Sequence, residues 1–418
     1  MRPTSLLLPS LLFTIAIQTP AIAQSTSDPA PVKIETRENQ WREHLENQVR
    51  DAWRNNDYKA LEKMGEDFVS HPSKSYSGKW NLSIFMFDIG NTLKIEWQDD
   101  WNVKAKSNCN CESSDPAYYA EADKRWAVID GQLKAWAKRY PHSLIVPLAR
   151  TRYAENRAWF YRGSGYSSTV NDAAWPLFER YIKEANKTLK ASAPIRFKNP
   201  DWYDEAAQLA VVADWPKAER QKLYAEMVER APTYFPAFAS ASQFLQPQWG
   251  GDYQAIDDLI RSAQKRMPEK DGLEFYARVY WWYLGAINTN YDAPKEIAAD
   301  WNMIKQGLEI VMERYPDRLN FDGAAQMACK YQDREYLDSV TRRSGTSDQY
   351  NKAFPIAYLD CNRPAPFFPE VHIQVPLMPT KRFIPNIPGM PLPPTDAKPA
   401  TPTASTAPEA PATPPAKE

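Results

Sequence analysis

The four cysteines carry the most reactive side chains of this sequence. Cys109 and Cys111 flank a single asparagine, whereas Cys329 and Cys361 stand in the last stretch that we expect to fold. In an oxidising compartment disulfides are the default, and four cysteines allow three pairings. We favour Cys329 with Cys361, so that Cys109 and Cys111 bond to each other or stay free. A bond across one residue is strained and reducible, and a redox role for this pair is a minor alternative.

A second chemical signal combines an arginine with aromatic residues and glycines. Trp159, Arg162 and Tyr166 lie close together, and Gly163 and Gly165 stand between them. One interpretation is a tight helix end, in which a glycine adopts the left-handed cap and Arg162 binds free carbonyls. The other is a ligand site, where Arg162 grips an anion and Trp159 or Tyr166 stacks on the ligand.

Two further aromatic residues are candidate ligand contacts. Trp249 precedes the pair Gly250-Gly251, and Tyr276 opens an aromatic segment that runs to Tyr283. A glycine-requiring turn explains the first pattern equally well. A helix that is aromatic on several faces is more typical of a buried helix than of a binding platform.

Other kinds of site find less support. The 51 basic and 52 acidic residues are balanced and lack long runs of one sign, which argues against nucleic acid. No metal site is expected, because His71 and His142 lack ligand spacing to the cysteines. No nucleotide or hydrolase fingerprint occurs, so no cofactor is predicted. Candidate carboxylates for a glycan-cleaving site occur only by abundance, and their spacing singles none out: Asp201, Asp204, Glu274 and Asp300.

The helices that must position these residues are indicated by a short sequence motif, called here the proline phrase, that occurs four times. In each copy a basic residue falls in the last turn of a helical pattern, shortly before a proline. Proline and the residue before it both disfavour the helix, so each copy ends one helix and opens another. Stacked helical hairpins have this appearance, although the spacings of 91, 36 and 48 residues are irregular. We therefore predict an all-α fold of irregular stacked hairpins, tetratricopeptide-like. The copies are Lys138–Pro141, Glu229–Pro232, Lys265–Pro268 and Glu313–Pro316.

Composition divides the chain into four parts. Residues 1–23 have the charged start, apolar run and small-residue cleavage site of a secretory signal peptide. Residues 24–125 are expected to form one helical hairpin and an irregular insertion that could include a short helix, and residues 126–362 the stacked hairpins. Residues 363–418 are a proline-rich tail that we expect to be disordered, although its apolar part, 367–390, could instead dock on a partner or on the folded body.

Several of these segments resemble an uncharacterised bacterial family, a domain of unknown function. The resemblance covers about residues 60 to 340 and implies a tetratricopeptide-like helical domain. It implies no catalytic residue, because none is assigned in that family. The tail lies outside it. The matching motifs are Ser77–Trp80, Trp159 with Arg162–Tyr166, Pro200–Tyr203, Pro247–Gly251, Tyr276–Trp281 and Asp300–Trp301.

These patterns lead to one hypothesis and one rival. The first is a non-enzymatic binding or scaffold module, periplasmic or secreted, that binds an envelope protein or peptide. No membrane span is expected once the signal is removed, because no other apolar run of about 18 residues exists. The rival is a glycan-active hydrolase with a helical toroid fold, which would need two carboxylates about 5–10 Å apart in a pocket.

Overall fold

The computed structural model describes residues 37–95, 116–163, 170–249, 251–286 and 297–344. Within these ranges the chain forms fourteen α-helices, three short 3₁₀ segments and no β-strand, which confirms the predicted all-α class. The helices are α1 (Arg37–Arg54), α2 (Tyr58–Ser70), α3 (Asn81–Thr92), α4 (Pro116–Arg139), α5 (Val146–Arg162), α6 (Trp175–Ala191), α7 (Asp201–Val212), α8 (Lys217–Arg230), α9 (Phe235–Phe244), α10 (Tyr253–Gln264), α11 (Glu269–Ala286), α12 (Trp301–Arg314), α13 (Arg318–Lys330) and α14 (Arg334–Arg343).

Helical periodicity in the sequence becomes a buried face in the structure. Helix α6 shows this most plainly, because its buried residues recur every three or four positions and polar residues fill the gaps. Such a stripe must be covered by another element, and α5 packs along it as the partner of a hairpin. The buried residues of α6 are Phe178, Tyr181, Ile182, Ala185 and Leu189.

The hairpins stack in two layers. Helices α7, α9 and α11 pack side by side as an inner layer, while α8 and α10 contact each other outside it. Inner helices bury residues around most of their circumference, as α9 does, whereas α8 buries only Leu223 and Met227. After α11 the chain continues as successive packed neighbours, α12, α13 and α14. The predicted irregular stack of hairpins is thus present in the described residues.

The proline phrases end helices as predicted. Helices α4, α8 and α12 each stop two residues before the proline of the phrase, and α10 stops four residues before Pro268. The prediction that each proline opens the next helix holds only for Pro268, which directly precedes α11. In the other three copies the carbonyl before the proline closes a tight turn first. These bonds run from Ser143 N–H to Tyr140 O, from Tyr234 N–H to Ala231 O and from Asp317 N–H to Tyr315 O.

The loop of residues 71–80, between α2 and α3, joins the start of the chain to its C-terminal half. The Ser77 carbonyl accepts a hydrogen bond from Arg278 Nη2 at 2.9 Å and another from Asn320 Nδ2 at 3.1 Å. At the end of the loop, Trp80 Nε1 donates to the Thr233 carbonyl at 3.1 Å. These partners come from α11, α13 and the turn before α9. The 71–80 loop is therefore fastened to the later helices at Ser77 and Trp80, although parts of it such as Tyr76 are exposed.

Helix α3 follows that loop and lies in the segment for which the sequence predicted an irregular insertion. It is buried nearly all round, because α1, α2, α5 and α7 pack against it. A helix with neighbours on every side has no polar face and so shows no clean period in the sequence. Its apolar residues belong to the same core as those of the later helices.

None of the helices in the described part of the chain is both long enough and apolar enough to cross a membrane. The predicted signal peptide, the pair Cys109 and Cys111, Cys361 and the proline-rich tail lie outside the described residues. Cys329, in α13, is disulfide-bonded.

Candidate functional site

Arg162 lies in a cluster of aromatic rings at the end of α5. Its guanidinium carbon stands 5.0 Å from the centre of the Trp159 ring, 5.2 Å from Trp175 and 5.8 Å from Phe178. The helix ends at Gly163, which has a φ of 73° and donates to the Trp159 carbonyl. Arg162 Nη1 also donates to the Gly163 carbonyl at 3.0 Å. The local geometry matches the predicted tight helix end with cation–π stacking, and Tyr166 lies outside the described residues.

Trp249 and Tyr276, the other predicted contacts, lie in very different environments. The Trp249 ring is 40% exposed and packs on Phe244, with ring centres 5.6 Å apart. Tyr276 is fully buried, and its hydroxyl donates to Asp257 Oδ1 at 2.7 Å while accepting the Asp300 N–H at 3.0 Å. Tyr276 thereby ties α10 and the start of α12 to α11. A ligand could reach Trp249 on the surface, but Tyr276 is enclosed by protein.

The candidate carboxylates Asp201 and Asp204 do come together, around an arginine. Arg152 Nη2 lies 2.8 Å from Asp201 Oδ2 and 3.7 Å from Asp204 Oδ2, and Arg152 Nε donates to Glu205. Oxygens of the three acids approach within 4.8 Å of one another, which is the donor set of a hard cation. The Arg152 guanidinium already contacts all three, so the cation that these acids hold is an arginine.

The electrostatics of this cluster are those of a buried ionic network. Burial raises the pKa of Asp201 to about 7 although Arg152 opposes the shift, and burial also raises the pKa values of Asp204 and Glu205. Tyr234 donates its hydroxyl to Asp201 at 2.7 Å, and Ser240 donates to Asp204 at 2.6 Å. Each acid is thus held by a neighbouring helix or turn. Such a network fixes α5 and α7 relative to α9.

The two remaining candidate carboxylates lie apart from this network. Burial raises the pKa of Glu274, but Arg278 and Lys74 outweigh it, so that the pKa falls below its usual value. Arg314 also contacts Glu274, at 2.8 Å. Asp300 caps α12 and accepts the Asn302 N–H at 2.9 Å. Among the described residues, the four candidate carboxylates therefore lie in three separate sites. Only Asp201 and Asp204 are neighbours in the structure.

A different surface combines exposed aromatic rings with a cation that has no carboxylate partner. We call it the Lys79 face, and it consists of Lys79, the Trp282 ring beneath it, and Tyr76 of the same turn, whose ring lies against Arg37 at 4.8 Å. Both rings are exposed, and Lys79 Nζ lies 5.3 Å from the centre of the Trp282 ring. Within the described ranges, Lys79 Nζ makes no hydrogen bond or ion pair, whereas Lys74 in the same loop pairs with Glu274 at 3.1 Å. Burial, followed by the charge of Arg42, lowers the pKa of Lys79 to about 8.

The backbone of the loop explains why Lys79 is presented in this way. Gly78 has a φ of 79°, a conformation that glycine adopts without strain. The turn is closed by the Ser75 N–H, which donates to the Lys79 carbonyl at 2.8 Å. In the sequence, Ser77–Trp80 is a motif of the resemblance, but nothing in it assigned a role to Lys79. For the segment around Trp282 the sequence favoured a buried helix over a binding platform.

No protein-family model, curated protein or solved structure gives a significant match to this chain. The resemblance to an uncharacterised bacterial family therefore stays a prediction.

Proposed function

We propose that this protein is an exported, non-enzymatic binding module of the bacterial envelope, and that a partner protein or peptide binds at the Lys79 face. The observation that carries the proposal is a half-buried lysine without a carboxylate partner, whose ammonium group lies over the exposed Trp282 ring while the exposed Tyr76 belongs to the same turn. Tryptophan and tyrosine, the two aromatic residues of this face, are among those that contribute most binding energy at protein interfaces. Export itself rests on the signal peptide predicted from residues 1–23.

The state of Lys79 indicates the chemistry of the partner. A lysine whose pKa is lowered to about 8 already bears much of its desolvation cost in the free protein. A carboxylate brought by the partner would restore the charged form, because an opposite charge raises the pKa of an ammonium group. We therefore expect the contact segment of the partner to be acidic and to carry apolar groups that cover Tyr76 and Trp282.

Another exposed aromatic patch provides a matched comparison. Phe197 is 56% exposed and is flanked by Arg196 and Arg230, which stack against its ring. Both arginines already pair with Glu226, at 2.7 Å and 3.4 Å. Like the Lys79 face, this patch combines an exposed aromatic ring with positive charge, but its cations already have a carboxylate partner.

The test is affinity capture from envelope extract with the chain from residue 24 to 418. A partner should be retained by this protein and by Phe197→Ala, and lost when Lys79→Gln is combined with Trp282→Ala. Capture with a version that stops after residue 362 shows whether the proline-rich tail is needed for partner binding. Capture that is unchanged by the Lys79 and Trp282 substitutions, or no capture at all, would contradict the proposal.

The rival, a glycan-active hydrolase, needs paired carboxylates in an accessible pocket. Asp201 and Asp204 are the adjoining pair among the described candidates, but both are buried and bound to Arg152. That arrangement gives the rival no specific support.

A further inference from the structure

A small cavity opens between α1 and α3, with Arg42 on its wall. Its volume is about 230 Å³, smaller than the sites of about 300–1,000 Å³ that hold drug-sized ligands. Only a compact molecule fits it. The side chains that line it are Asn39, Arg42, Glu43, Glu46, Phe87, Asp88 and Asn91.

Two of these lining groups, a carboxyl and a guanidinium, have no protein partner among the described residues. Asp88 is only 6% exposed, and its Oδ2 atom is buried without a hydrogen-bond partner. Arg42 makes no hydrogen bond or ion pair with any described residue. The charge of Arg42 reaches Asp88 and lowers its pKa, but burial outweighs it and raises that pKa to about 7. The two groups therefore do not satisfy each other.

Two neighbouring polar groups of the cavity that are not exposed do have partners. Glu46 Oε1 lies 3.4 Å from Arg50 Nη1, and Asn91 Oδ1 accepts from Lys94 Nζ at 3.1 Å. Asn39 and Glu43 also lack a partner among the described residues, but both are exposed; of the polar lining side chains that are buried or half-buried, Arg42 and Asp88 are the two without one. An unpaired buried carboxylate oxygen costs free energy that a hydrogen-bond donor would recover.

We propose that this cavity binds a small zwitterion of the α-amino acid class, whose carboxylate pairs with Arg42 and whose ammonium group donates to Asp88. Because the cavity is lined by both basic and acidic side chains, a ligand that carries both a carboxylate and an ammonium group fits it best. A lone anion would meet Glu43, Glu46 and Asp88, whereas a lone cation would meet Arg42. The Phe87 ring, which is 50% exposed at the rim, provides an apolar contact for a short side chain.

This site is separate from the proposed protein-binding function. Arg42 influences Lys79 through its charge, but the ligand proposed here is a small molecule and its binding can be measured without a partner protein. The two proposals can fail independently, because partner binding at the Lys79 face is measured by affinity capture and ligand binding in the cavity is measured by titration.

The test is calorimetric titration at pH 8, where Asp88 with its pKa of about 7 is mostly ionised. The probes are glycine and L-alanine, with ethylamine and propionate as analogues of alanine that keep one charge each. We expect saturable binding of the amino acids, and binding of each analogue that is weaker by about tenfold or more, since each charge-assisted hydrogen bond contributes about that much. Saturation by propionate or ethylamine with the same affinity as alanine would overturn the proposal.

Three variants locate the binding. Arg42→Gln and Asp88→Asn should each weaken alanine binding by about tenfold or more, while their thermal unfolding shows that the fold is intact. Lys134→Gln, an exposed position on α4, is the control and should bind as the unchanged protein does. If neither glycine nor alanine binds, or if both cavity variants bind them normally, the site does not exist.

Discussion

The backbone N–H of Glu38 donates a hydrogen bond to Oδ2 of Asp317 over 3.2 Å, across 279 residues of sequence. Asp317 is the N-cap of α13, and Glu38 lies in the first turn of α1. The same glutamate accepts from the Ser77 N–H at 2.8 Å and from Ser75 Oγ at 3.1 Å. One buried residue thus fastens the start of the described chain both to its own 71–80 loop and to the late hairpins.

Replacement of Glu38 by alanine should release the 71–80 loop, whereas the backbone bond from residue 38 to Asp317 can remain. The Ser77 N–H and the Ser75 hydroxyl would lose their acceptor in a buried place, and we expect a loss of about 2–4 kcal/mol in the free energy of unfolding. Urea unfolding measures it. Glu179→Ala, at an exposed position of α6, should change stability by less than about 0.5 kcal/mol. Equal effects of the two substitutions would show that the loop is not held by Glu38.

The glycine of that loop gives a second prediction. A Cβ atom at Gly78 would lie 2.2 Å from Arg278 Nη2 and 2.6 Å from Tyr315 Cδ2, at a residue whose φ is 79°. Gly78→Ala should cost about 2 kcal/mol or more, because strain and collision add. Gly131→Ala is its counterpart in α4, where an added Cβ meets nothing within 4 Å. That substitution should raise stability by about 0.5–1 kcal/mol.

Thermal unfolding of the two alanine variants gives the comparison directly. The melting temperature should fall for Gly78→Ala and rise for Gly131→Ala. A Gly78→Ala protein as stable as the parent would mean that the loop can leave Arg278 without cost.

Much of the fold could be predicted because helices with one buried face repeat their apolar residues at a helical period. The face of α6 that begins at Phe178 is an example, and the proline phrases located the ends of α4, α8 and α12. Helix α3 could not be predicted in the same way, because neighbours on all sides remove its period. The closure through Glu38 joins residues far apart in sequence, and no local pattern encodes such a contact.

The candidate sites differ more strongly than the helices in how much of them the sequence could predict. The cluster around Arg162 is local, so its residue types and spacing predicted the helix end and the nearby ring of Trp159. Lys79 and Asp88 matter because they lack partners, and a missing partner is a property of the tertiary structure. Tyr276 shows the converse, since an aromatic residue chosen as a ligand contact proves to be enclosed and bonded to Asp257.

The ionic network around Arg152 predicts a pH-dependent stability. Asp201 has a folded pKa of about 7 against an ordinary value of 3.8, so the native state binds more protons than the unfolded state between these values. Stability should consequently fall as the pH rises from about 4 to about 7 through this group. We expect a higher melting temperature at pH 6 than at pH 8.

Removal of the arginine should make that dependence steeper. In Arg152→Gln, Asp201, Asp204 and Glu205 would face one another without a cation, which should cost about 3–5 kcal/mol at pH 8. Much of the loss should return at pH 5, where the acids can bind protons. The control is Arg266→Gln, which removes an exposed pair with Glu229 and should have little effect at either pH. A loss in Arg152→Gln that does not depend on pH would rule out the electrostatic explanation.

The disulfide of Cys329 yields the last prediction. Cys329 is bonded, and the sequence favours Cys361 as its partner over Cys109 or Cys111. That bond would close a loop of about 30 residues and stabilise the fold by about 3–4 kcal/mol in the chain-entropy account. Peptide mapping without reductant should find the peptides of Cys329 and Cys361 linked, and Cys329→Ser should unfold at lower urea. A link from Cys329 to Cys109 or Cys111 would instead tie α13 to the segment that precedes α4, and truncation after residue 344 would then leave stability unchanged.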